Sequence, residues 1–331
     1  MNNFVKEALK AGGMIKPLII PSDLTSGTGL MNPSVYNDNG RILVVVRHVN
    51  YTFYHSENKI FLHPWGPLTY LHPENDLHLR TTNYYCEMDS NLDINKFFKI
   101  DMSKFDTYEP LWEFVGLEDA RIFKWGQKLY ISGVRRDTTT NGEGRMELSE
   151  IEVWADGVKE VSRFRIPPPK DPKSYCEKNW MPILDMPYHY VKWSMPTEVV
   201  RVDPTLKTCE TVAMTDSSTD LRRDLRGGTQ VITIGNYRFA MTHEVDLFNS
   251  EVGRKDAVYH HRFIVWDKNW NIVKYSKEFF MMDAQVEFSV GMCRYGVDDI
   301  LITFGFQDNA AYILKTPLKV IEDFLDFSFT Q

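Results

Sequence analysis

The sequence predicts an all-β chain of antiparallel hairpins, and three observations carry that expectation. Apolar and polar residues alternate with period two through most of the 331 residues. Short turn signals rich in glycine, asparagine and aspartate break the alternating runs. Helical spacing is confined to the two ends of the chain.

Each hairpin follows from its own residues. "SVYNDNGRILVVVRHV" alternates, turns at Asn39-Gly40 and alternates again; Asn-Gly between apolar runs is a strong short-range hairpin signal. "ARIFKWGQKLYISGVRR" repeats the form with a turn near Gly126, and "TQVITIGNYRFAMTHEV" does so at Gly235-Asn236. "RFIVWDKNWNIVKYS" turns at Asp267 to Asn269, and "FSVGMCRYGVDDILITFGFQD" near Gly296. Helices are expected at "NNFVKEALKAG" and "PLKVIEDFLD". Polar leads at Asn32, Asp119, Asn179, Gly228 and Glu287 recur at intervals of about 50 to 90 residues, most of them opening a hairpin. Repeats of that length suggest propeller blades of about four strands each. The expectation is a five-bladed β-propeller with short terminal helices, a single domain over residues 1–331 with its blades at about 30–315. A β-sandwich pair is the alternative.

Composition bounds the function. With 43% hydrophobic and 25% charged residues the chain is of ordinary globular type and long enough for a sizeable core. Its net charge of -7 disfavours a broad nucleic-acid footprint, leaving nucleic acid open only as an acceptor. Cys86, Cys176, Cys209 and Cys293 are scattered, with no C-x-x-C pair, which fits a reduced, cytoplasmic setting and no zinc or redox motif. The N-terminus lacks an apolar signal core, and no run approaches the roughly 20 apolar residues of a membrane span. Neither HExxH, a spaced His/Cys set nor a D-x-D triplet occurs, so no metal is expected. The aromatic stretch "HPWGPLTYLHPEND" at 63–76 reads as loop stiffening and packing, or as a platform for a sugar.

The functional reading comes from hairpin ends. The start of the first strand of an antiparallel hairpin lies beside the end of the second. Asn32 therefore comes near Arg47, Asp119 near Arg135, and Gly228 near His243. Radial hairpins would send all these ends to one face. The ring then holds Asn32, Arg47, Glu118, Asp119, Arg121, Arg135, Arg136, Lys178, Asn179, His243 and Asp308. One acidic cluster beside several cations suits a sugar ring held by carboxylates and amides, next to a phosphate held by Arg, Lys and His. His260-His261 is set aside, because one of two adjacent strand residues must point away from any site.

The blocks "NPSVYNDNGRILVVVR", "GLEDARI", "EKNWMPI", "GGTQVITIGNYRFAMTHEV", "VEFSVGM" and "ITFGFQDNAA" resemble, in order and rough spacing, those of the mannoside phosphorylases of glycoside hydrolase family 130 and related mannosyltransferase-like propellers. The resemblance implies a five-bladed propeller and inverting glycosyl transfer. It makes Asp119 the catalytic acid. It places Asn32, Ser34, Arg47 and Asp308, with Glu118 and Arg121 beside them, on the sugar, and Arg135 or Arg136, Lys178, Asn179 and His243 on the phosphate. Ala120 stands where the family has proline, and "EKNWMP" and "YHHRF" lean toward the transferase-like relatives. No cofactor is implied beyond a co-substrate: inorganic phosphate, a sugar phosphate or a sugar nucleotide. The function expected is glycosyl transfer between a carbohydrate and a phosphate-containing partner, as in a mannoside phosphorylase. A sugar-nucleotide glycosyltransferase, with a glycan or a modified nucleobase as acceptor, and a silent glycan-binding propeller are the alternatives.

Overall fold

The computed structural model describes residues 2–25, 29–53, 70–71, 76, 78–169, 174–217, 219–249 and 255–330, and most of the stretch at 63–76 lies outside them. The described residues form an all-β, propeller-like assembly of antiparallel sheets. Its strands run as successive meanders. The first is Leu30–Asp38, Arg41–Val49, Leu79–Met88 and Ile94–Asp101. The second is Glu118–Trp125, Lys128–Arg135, Arg145–Trp154 and Gly157–Arg165. The third is Met181–Pro182, His189–Ser194, Thr197–Asp203 and Thr208–Thr215. The fourth is led by Arg226–Gly227 and Ile232–Ile234 and continues through Tyr237–Asn249, Lys255–Trp266 and Ile272–Tyr275. The fifth is Glu287–Tyr295, Asp299–Phe306 and Ala310–Pro317.

The outer strand of the fifth meander comes from the other end of the chain. Met14–Pro17 pairs antiparallel with Ala310–Pro317, Met14 opposite Lys315. The turns sit where the sequence places them. Asn39 and Gly40 both have positive φ, +54° and +95°, as a two-residue type I′ turn requires. The helices are Phe4–Lys10, capped by Asn3 whose side-chain oxygen accepts from the Lys6 amide at 2.9 Å, and Leu318–Leu325. A short helical turn, Ser22–Thr25, is additional.

The apolar cores lie between consecutive meanders, because each strand alternates its side chains between two neighbours. Leu43 and Val45 meet Ile122 and Ile131. Phe123 and Trp125 meet Tyr190 and Val200. Val191 and Val199 meet Ala240, Ile264 and Trp266. Phe239 and Phe263 meet Ile302 and Phe304. Leu301 and Ile313 return to Val35 and Val44, so the fifth meander packs on the first.

A polar pin holds the leading strands together. Gln230 is fully buried, and its amide donates to Ser34 Oγ at 3.0 Å, Val35 O at 3.1 Å and Ile122 O at 2.7 Å. Its carbonyl accepts from the Met292 amide at 3.0 Å. One side chain thus ties four meanders. The close approach needs Gly291, where a Cβ would strike the backbone of Ser34 and Val35.

Candidate active site

The leading strands are bent where the site residues sit. The register slips between Met31 and Ser34 in the first meander and between Glu118 and Arg121 in the second. At these bulges Asn32 and Asp119 take left-handed backbone, φ +43° and +53°. Asn179 and Asp308 do the same, at +61° and +49°. Asn and Asp tolerate this region better than other residues, and bulges re-aim side chains. Non-glycine residues held there mark strain that clusters at functional sites.

The bulges bring Asn32, Arg47, Glu118 and Asp119 into one cluster. Arg47 Nη1 donates to Asp119 Oδ1 at 2.9 Å, and Nη2 donates to Glu118 Oε2 at 3.0 Å and to Tyr51 OH at 3.1 Å. Its Nε donates to Thr81 Oγ1 at 3.1 Å. The Asn32 amide donates to the same Asp119 oxygen at 2.8 Å. Gly305 leaves room for that amide, which lies where its Cβ would be. Burial alone would raise the Asp119 carboxyl, but Arg47, Arg121, the Asn32 bond and Lys178 together hold it below its ordinary value. Asp308 goes the other way. Burial pushes it up; Arg47 opposes, but neighbouring Asp119 and Glu118 add to the rise, to about 6. Asn32 Oδ1, Glu118 Oε1 and His243 Nδ1 are buried and lack a hydrogen-bond partner among the described residues. A ligand bearing several hydroxyls is the natural partner for such atoms.

Four of the expected site residues are placed differently. Arg121 is fully buried and donates to Asp119 O at 2.8 Å, to Gly228 O at 3.0 and 2.9 Å, and to Asn179 Oδ1 at 3.5 Å. It ties meanders together and holds the Asp119 backbone instead of facing a sugar. Ser34 is equally buried, its Oγ accepting from the Ile122 amide at 3.1 Å and from Gln230. Arg135 is 1% exposed and ion-paired with Glu147 at 2.8 Å and with Asp137 and Asp106 at 3.2 Å. It shares a strand face with Leu129 and Ile131, toward the first meander, and is closed to a phosphate. His243 is packed on Phe288 and Tyr259, and burial with nearby His261, Arg226, Lys178 and Arg121 holds it neutral, well below its ordinary pKa. It brings a ring nitrogen and no charge. It lies opposite Arg226, two residues before the expected Gly228.

The cations that do converge are Arg136, Lys178 and Arg226, around a cavity of about 620 Å³ whose wall includes Asn179. None of the three has a carboxylate salt bridge among the described residues. Arg136 donates to Gly142 O at 3.1 Å and Tyr175 OH at 3.2 Å and leans over the rings of Phe114 and Tyr175. Sequence reasoning missed Arg226. It is one of three arginines in the polar run "LRRDLRGG", where only the following Gly-Gly sets it apart. Among the described residues no group of three or more His, Cys, Asp or Glu could hold a metal ion, and no helix is long and apolar enough to cross a membrane.

This propeller-like arrangement of sheets is shared by solved structures of glycoside phosphorylases and hydrolases. Solved structures that share it include a β-1,2-mannobiose phosphorylase from Listeria innocua in complex with β-1,2-mannobiose (13% identical over 94% of this chain and 96% of that one, TM-score 0.54). A mannose phosphorylase from Leishmania mexicana in complex with a phosphate ion is 10% identical over 95% and 92%, with TM-score 0.51. A glycosyl hydrolase from Bacteroides ovatus is 10% identical over 88% and 85%, with TM-score 0.57. No protein-family model and no curated protein sequence matches the chain.

Proposed function

We propose that the chain is a single five-bladed propeller, each meander a blade, and a carbohydrate-active enzyme that transfers a glycosyl group between a carbohydrate hydroxyl and a phosphate-containing partner with inversion. The observation that carries this reading is the Asn32–Arg47–Glu118–Asp119 cluster beside three cations that make no carboxylate salt bridge among the described residues. The phosphorylases that share the fold support it.

In the synthetic direction the acceptor hydroxyl attacks the anomeric carbon. The bond from that carbon to the phosphate oxygen breaks, its electron pair leaving on the phosphate. The hydroxyl proton passes to Asp119, directly or through a sugar hydroxyl. Asp119 suits this role because its neighbours keep it ionised before substrate arrives. In the reverse direction phosphate attacks and Asp119 returns the proton to the departing oxygen. Arg136, Lys178 and Arg226 offset the charge that develops on the phosphate. Cations at that position favour a phosphate as the partner; the carboxylate on the same wall, Glu177, accepts from Trp180 Nε1 at 3.1 Å and lies 4.0 Å from Lys192 Nζ.

The test is turnover of a panel of sugar 1-phosphates and sugar nucleotides with carbohydrate acceptors, and of β-mannosides with inorganic phosphate. Asp119→Asn keeps the shape and removes the titrating group. Turnover should fall by roughly 10²–10⁴-fold with folding intact. Near-full turnover by this variant, where chemistry limits the rate, removes Asp119 from the mechanism. Glycan binding with no turnover across the panel leaves the silent glycan-binding propeller instead.

A further inference from the structure

We infer that the cavity beyond Asn179 receives the nucleoside diphosphate part of a sugar-nucleotide donor. The inference rests on reading Arg136, Lys178 and Arg226 as a phosphate site and adds what else that phosphate carries.

Size is the first argument. An inorganic phosphate displaces only a few waters, each about 30 Å³ of liquid, whereas the cavity holds about 620 Å³. That lies in the range of small-molecule sites. Charge is the second. One phosphate carries about −1.5 to −2 near neutral pH, and three full cations on this wall exceed it. A diphosphate matches them better. The third argument is the aromatic lining. Large aromatic side chains of this protein are mostly buried between meanders, yet Tyr175 and Trp193 line this cavity at 50% and 39% exposure. Trp193 follows a register slip between Val191 and Trp193 that interrupts its strand. A flat ring standing in an open, cation-bearing cavity is a platform for a nucleobase, which stacks whatever its identity.

Glu177 and Lys192 also line the cavity. The Glu177 carboxylate accepts from Trp180 Nε1 at 3.1 Å and lies 4.0 Å from Lys192 Nζ, which also pairs with Glu198 at 3.1 Å. Glu177 keeps acceptor capacity for ribose hydroxyls. The connection to the chemistry runs through Asn179, whose amide oxygen takes the Arg121 bond at 3.5 Å, while Arg121 holds the Asp119 carbonyl at 2.8 Å. A diphosphate on the cations beside Asn179 is therefore linked to Asp119 through Arg121.

The experiment titrates the full chain by calorimetry with inorganic phosphate, UDP, GDP and a neutral mannobiose. At least one nucleoside diphosphate should bind ten- to a hundredfold more tightly than phosphate. Trp193→Ala should weaken it five- to a hundredfold and leave phosphate affinity unchanged. Trp193→Phe should restore most of the loss, with an unchanged melting temperature showing that both variants fold. Arg226→Ala should weaken phosphate and diphosphate together. Equal affinity for phosphate and nucleoside diphosphates, or a Trp193→Ala variant that binds them normally, overturns the nucleoside pocket and leaves the phosphate site standing. Mannobiose binding that depends on Trp193, with no diphosphate preference, overturns it in favour of a sugar platform. Failure of phosphate and all diphosphates to bind overturns the phosphate site as well.

Discussion

Arg135 and Arg136 are adjacent in sequence and opposite in situation. Arg135 closes a strand and turns toward the first meander, into a network where Arg163 and Arg165 join it against Glu147, Asp106, Asp137 and Glu160. Every charge there is answered inside the protein. Arg136 turns to the other side, toward the third meander, and meets two aromatic rings, a carbonyl and a hydroxyl. The difference teaches that cation count does not define an anion site. What matters is which cations the fold leaves without a carboxylate salt bridge.

The contrast breaks most visibly at Arg135. Arg135→Met leaves Glu147 and Asp137 buried beside an apolar chain, and removal of one partner from a buried ion network costs about 3–5 kcal/mol. The urea midpoint should fall by the matching amount with an unchanged slope, while phosphate affinity per folded molecule stays the same. A variant of native stability with weakened phosphate binding would exchange the roles of the two arginines.

Arg226→Ala sharpens the other half. Stability should shift by no more than about 0.5 kcal/mol, because Arg226 makes no salt bridge among the described residues. Phosphate affinity should fall by about ten- to a hundredfold, the loss of one charge-assisted bond of roughly 1.5–3 kcal/mol. Loss of stability without loss of affinity would make Arg226 a structural cation like Arg135.

Asp308 extends the contrast to carboxylates. Glu147 pairs with Arg135 and Arg165, whereas Asp308 shares the single Arg47 with Asp119 and Glu118. Its folded pKa is raised from 3.8 to about 6, so the folded state binds this proton more tightly than the unfolded chain. The stability that the group contributes is therefore complete below about pH 4 and is lost as pH rises through about 6. Relative to Asp308→Asn, the natural protein should lose on the order of 1–3 kcal/mol across that window, measured by denaturant unfolding at several pH values. A constant difference between the two across the window means that Asp308 titrates normally.

Much of the architecture was legible because the hairpin turns carry their own chemistry. Asn39-Gly40 and Gly126 mark reversals that the folded chain makes at those residues. The strand Met14–Pro17 was not legible, since four residues ending in proline show no period and their partner lies at the far end of the sequence. In the site, hairpin pairing sufficed to bring Asn32 near Arg47. It could not tell Arg135 from Arg136, although the alternation rule that set aside His260-His261 applies equally to that pair. Ser34 and Arg121 looked like ligands because polar residues beside Asn32 and Asp119 read alike in sequence. Only the folded chain shows that Gln230, from the fourth meander, and Gly228 O take up their hydrogen bonds.

The pairing of Met14 with Lys315 also sets a clock. A ribosome adding about 5–20 residues each second needs roughly 15–60 s to travel from one to the other. Through that interval one of the first strands to be made waits for its neighbour. Early meanders can stack on one another as they emerge, but the circle stays open until the end of synthesis. A nascent chain halted before Ala310 carries Asp299–Phe306 with one side bare, and a bare strand accepts any chain that offers itself.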